Sequence, residues 1–131
     1  MSGPPTTSKE NQRVLVVDDN DIVRKTLTMI LQRLGYVVTG AASGEAALEI
    51  IAAQDTRFDC MVIDRVMPGL SGPQLIHNIR STDADVPIVL TSGFGDADDL
   101  PEGSISGLLS KPWTTDDVSA AMRGALGQTA Q

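Results

Sequence analysis

The feature that most constrains this chain is an alternation of two kinds of segment. Short runs with consecutive apolar residues take turns with longer stretches whose apolar residues fall at helical spacing. RVLVV (13–17) is the first run. Apolar residues on consecutive positions suit a strand covered on both faces. Residues 21–34 then place Ile22, Val23, Leu27, Ile30, Leu31 and Leu34 along one stripe, the mark of an amphipathic helix. Asp19 or Asn20 is available to cap its start and Gly35 to end it. The pattern repeats through YVVTG and a helix capped by Ser43, with Ala46, Ala47, Ile50 and Ile51 inward. FDCMVID follows, then a helix opened by Ser71 with Leu75, Ile76 and Ile79. PIVLT (87–91) predicts a fourth strand starting on proline, and GLLS a fifth. Between these two, residues 96–101 are acidic and predict at best a short helix. Thr114 with Asp117 forms a capping pair for a last helix through about Leu126. Strands and helices alternating over short connections predict an α/β fold, a doubly wound five-stranded parallel sheet with helices on both faces.

Composition narrows the classes. The 131 residues fit one domain, since domains commonly run ~100–150 residues. Of these, 41% are hydrophobic, so a core is affordable, and few aromatics mean that aliphatic side chains fill it. A net charge of −7 disfavours non-specific nucleic-acid binding and anionic membrane surfaces. Cys60 is the single cysteine, which excludes an intrachain disulfide, and with His77 the only other soft ligand a structural zinc site is disfavoured. No long apolar run spans a membrane, and the polar start MSGPPTTSKE lacks the apolar stretch of a signal peptide. The chain is expected to be cytoplasmic. Residues 1–11 and 128–131 read as tails around a domain at 12–127.

In such a sheet, ligands bind beyond the carboxyl ends of the strands. Those ends carry Asp18 and Asp19, then Asp64, then Thr91 and Ser92, then Lys111 and Pro112. Singly, each has a plain structural role: a helix cap, a turn residue, a strand end, a surface lysine. Together they are a site. Carboxylates crowded at one edge repel, and a hard divalent cation relieves that; few oxygen ligands suit Mg²⁺. A cation, a lysine and a hydroxyl around one carboxylate suit a phosphoryl group.

The motifs VLVVDDN (14–20), VIDRVMPGLSG (62–72), LTSG (90–93) and SKPW (110–113) resemble the response-regulator receiver domain of two-component signalling, of the chemotaxis-regulator kind. The resemblance covers residues 13 to about 126 and implies a flavodoxin-like sheet of order 2-1-3-4-5. It implies that Asp64 is the phosphoacceptor, taking a phosphoryl group from a sensor histidine kinase or histidine phosphotransfer protein. It implies Mg²⁺ held directly by Asp19 and Asp64, by Asp18 through water, and by the backbone carbonyl of Val66. Thr91 and Lys111 would bind phosphoryl oxygens, Lys111–Pro112 is a candidate cis peptide, and Pro68 and Gly69 would shape the loop beside Asp64.

The chain departs from the family at Leu108, where receivers usually carry Tyr or Phe, and in a slightly short segment from Thr91 to Lys111. The wording of LTSG and SKPW is closer to receivers attached to sensor kinases than to those fused to DNA-binding domains. Two other readings stand beside the phosphoacceptor. One is a degenerate receiver acting as a phosphate-independent interaction module. The other is an aspartate-nucleophile phosphatase, which needs an acid/base aspartate where this chain has Val66. His77 lies mid-helix without a helical bundle around it and reads as a helix surface residue. GFG (93–95) lacks the third glycine of a dinucleotide loop.

Overall fold

A computed structural model describes residues 12–53, 57–93 and 104–127. Its elements run β1 (Arg13–Val17), α1 (Asp21–Arg33), β2 (Val37–Ala41), α2 (Gly44–Ala53), β3 (Cys60–Asp64), α3 (Gly72–Thr82), β4 (Ile88–Ser92), β5 (Gly107–Ser110) and α4 (Thr115–Ala125). The strands form one parallel sheet in the order β2-β1-β3-β4-β5. This is the doubly wound, flavodoxin-like order that the motifs imply. The acidic segment at 96–101, expected to hold a short helix, lies outside the described residues.

Strand pleating sorts the apolar runs into two cores, because successive side chains point to opposite faces. Val14, Val16, Cys60, Val62, Val89 and Leu109 meet Leu27 and Leu31 of α1 and Val118 and Met122 of α4. Leu15, Val17, Met61, Ile63, Ile88 and Leu90 meet Ala47 of α2 and Leu75, Ile76 and Ile79 of α3. Cys60 is fully buried, and burial pushes its thiol up to about 12, so it behaves as a small apolar residue.

The caps fall where the residue types predict. Asn20, rather than Asp19, caps α1, its side-chain oxygen accepting from the amides of Ile22 and Val23 at 3.0 and 3.1 Å. Ser43 accepts from the Ala46 amide at 3.0 Å. Ser71 with Gln74 and Thr114 with Asp117 form reciprocal capping boxes at α3 and α4.

Strand edges shift by a residue or two from the apolar runs. Phe58 is buried, with Arg13 5.2 Å from its ring centroid, yet the ladder to β1 begins only at Cys60. Pro87 precedes β4 and serves as an acceptor, its carbonyl taking the Met61 amide at 3.0 Å. β2 runs one residue past Gly40 because Ala41 still pairs with Val17. Among the described residues no helix is long and apolar enough to cross a membrane.

Candidate functional site

Register assembles the site. Asp64, the last residue of β3, pairs directly with Thr91 of β4. β1 pairs with β3 as far as Val17 opposite Ile63, so Asp18 emerges beside Asp64. Ser92 pairs with Ser110, so Lys111 emerges one residue beyond. The backbone is tied across these ends. The Arg65 amide donates to the Thr91 carbonyl and the Lys111 amide to the Ser92 carbonyl, both at 2.8 Å. Asp64 and Lys111 are thus held on either side of β4.

The side chains converge on one oxygen. Thr91 Oγ1 donates to Asp64 Oδ1 at 3.4 Å, and Lys111 Nζ lies 3.3 Å from the same atom. Asp64 and Thr91 are buried, while Lys111 is about one-third exposed and reaches in from solvent. The Lys111–Pro112 peptide is cis, as the motif suggests.

On the other side of Asp64 stand Asp18 and Asp19. One carboxylate oxygen from each of the three aspartates lies within 4.8 Å of the others. Asp18 is buried and Asp19 exposed. Burial raises the Asp18 pKa; the Asn20 amide, donating to its Oδ1 at 2.9 Å, works against this, and the Asp64 charge adds to it. A buried acid among acids is short of positive charge. An oxygen-only donor set open to solvent on the Asp19 side fits a hard divalent cation of the Mg²⁺ kind.

The loop from Asp64 to α3 keeps the rim open. Gly69 has φ of +74°, the left-handed region that favours glycine. Val66 projects its side chain to solvent, 64% exposed, so its identity is not set by packing. His77 is exposed on α3, and Trp113 packs half-buried against the core beneath α1 and α4.

Two residues of this region were not singled out from the sequence. A Cβ on Gly72 would lie 2.5 Å from the Asp64 carbonyl oxygen and 2.7 Å from Arg65 Cα, so only glycine lets α3 start this close to β3. Glu45 at the start of α2 accepts from the Leu70 amide at 3.3 Å and braces the loop from outside. The glycine after LS was visible in the sequence, but its close approach was not, because proximity to a backbone carbonyl is a tertiary fact.

The chain belongs to the response regulator receiver domain family, whose profile matches residues 14–123. As such it is a module of two-component signalling. It is 36% identical over 116 residues to the sensor kinase CckA of Brucella abortus, covering 86% of this chain and 12% of that protein. It is 37% identical over 120 residues to the response regulator MprA of Mycobacterium ulcerans, covering 89% of this chain and 51% of the relative. The chain therefore spans about half the length of that regulator and a small part of that kinase. Among solved structures, a chemotaxis protein of Vibrio cholerae superposes with a TM-score of 0.77 at 27% identity, over 88% of this chain and 99% of that one.

Proposed function

We propose that this receiver is a phosphoacceptor. A phosphoryl group passes to Asp64 from the phosphohistidine of a sensor histidine kinase or a histidine phosphotransfer protein. An Asp64 carboxylate oxygen forms the new O–P bond as the N–P bond breaks and the imidazole leaves. The observation that carries this reading is the convergence of Thr91 Oγ1 and Lys111 Nζ on Asp64 Oδ1. Groups that hold the carboxylate oxygen are within a short swing of the oxygens of a phosphoryl group attached there.

Asp19 and Asp64 directly, Asp18 through water, and the Val66 carbonyl would hold Mg²⁺. When bound, Mg²⁺ neutralises charge on the acidic cluster and on phosphoryl oxygens. Lys111 balances the charge that remains, and Thr91 donates a hydrogen bond. The chain catalyses its own phosphorylation and dephosphorylation, with no turnover of an external substrate expected. The receiver unit runs over 12–127, and it works in the cytoplasm alongside its phosphodonor.

Leu108 favours a second reading, a phosphate-independent interaction module. It is 45% exposed on the edge strand where the family usually places an aromatic residue. The deciding experiment is intact-mass spectrometry after incubation with acetyl phosphate, with and without Mg²⁺, alongside Asp64→Asn. A single Mg²⁺-dependent adduct, absent from the variant, is expected. No adduct, and no response to beryllofluoride, would leave the interaction module as the better account.

A further inference from the structure

One cation stands beside the acidic pair without belonging to the site described above. Arg24, in the second turn of α1, is largely buried, its side chain 18% exposed. Its Nη1 donates to the Asp18 carbonyl oxygen at 2.8 Å, and its Nη2 pairs with Asp21 Oδ1 at 2.6 Å. Its stem runs over β2, where a Cβ on Gly40 would sit 3.5 Å from Arg24 Cδ.

The carbonyl that Arg24 grips belongs to the planar peptide joining Asp18 to Asp19. The orientation of that plane sets the directions in which the two side chains leave the backbone. Other bonds hold the rest of this turn. The Asp18 amide donates to the Ala41 carbonyl at 3.1 Å, and the Asn20 amide to Asp18 Oδ1 at 2.9 Å. Arg24 fixes the carbonyl that these bonds leave out. The ion pair with Asp21 is 72% exposed on the aspartate side, so it adds little stability; it aims the guanidinium fork.

We infer that Arg24 is a positioning residue for divalent-cation binding, holding the Asp18–Asp19 peptide so that both carboxylates face the cation. The inference rests on the acidic cluster being the Mg²⁺ site proposed above. Charge and positioning predict opposite signs. A guanidinium near the cluster opposes a cation, so on charge alone its removal tightens Mg²⁺ binding. Loss of positioning weakens it.

The test is Mg²⁺ affinity by isothermal titration calorimetry on the whole chain, comparing wild type with Arg24→Met and Arg24→Lys. Methionine keeps the stem over Gly40 and loses the guanidinium. Binding by Arg24→Met is expected to weaken roughly 10-fold, as when an outer partner of a metal ligand is lost. Equal or tighter binding by a folded Arg24→Met overturns the inference and leaves the metal reading standing. Should Arg24→Met fail to fold, Arg24→Lys decides at constant charge. Weaker binding than wild type supports positioning, because one ammonium cannot serve both the carbonyl and Asp21, and wild-type affinity overturns it. A wild-type chain that binds no Mg²⁺ overturns both the inference and the metal reading.

Discussion

At the scale of the residue, the site depends on groups of two kinds. Asp64, Thr91 and Lys111 are the groups we propose for the chemistry, and their positions at strand ends make them readable from sequence. Gly72 carries none, yet its missing side chain decides where Asp64 can sit. Its neighbours across the contact are backbone atoms, which cannot swing aside. Gly72→Ala is therefore expected to cost about 1–3 kcal/mol, the usual range for overpacking. Urea denaturation monitored by circular dichroism measures it. A variant as stable as wild type would mean that α3 tolerates displacement from β3.

At the scale of the element, helix ends were the most legible feature, because capping is local chemistry. Ser71 and Thr114 announce α3 and α4 with partners three residues on. Strand ends were less legible. The run beginning at Phe58 reads as strand from its first residue, but pairing with β1 starts at Cys60, and pairing is set by another strand. The end of α3 shows a tertiary device. Asp83 Oδ1 accepts from the amides of Asp85 and Val86, each at 3.1 Å, and its Oδ2 pairs with Arg57 at 2.7 Å. Partial burial pushes the Asp83 pKa up, but the two amides and Arg57 together outweigh it and leave the carboxyl below its ordinary 3.8. A carboxyl whose pKa is lower folded than unfolded stabilises the fold above 3.8, and that contribution is lost as pH falls through the folded value. Asp83→Asn should thus be less stable than wild type near neutrality by about 1 kcal/mol. The gap should narrow as the solution is taken below pH 3.8, which urea midpoints across a pH series will record. A gap that stays constant with pH would assign the loss to shape rather than charge.

At the scale of the whole molecule, the alternation of segments was enough to name the architecture, and the four motifs were enough to order the strands. Two things escaped. Arg24 was not singled out, since nothing local says that it reaches back to Asp18. Which helices cover which face also escaped, because each apolar run reads as uniformly buried. The sheet keeps the side chains beneath α1 and α4 apart from those beneath α2 and α3. Substitutions on opposite sides share no partner, so Ile76→Val and Val118→Ala should add to within about 0.5 kcal/mol in a double-mutant cycle. A larger coupling energy would show that the two packings communicate through the strands.

β3 serves both packings, as β1 and β4 also do. Cys60 and Val62 project to one side of it, Met61 and Ile63 to the other, and Asp64 is its last residue. The sheet is a party wall with two tenants. A disturbance in any one helix stays with its own tenant, whereas a pull on Asp64 is a pull on the wall itself and is felt in both rooms at once.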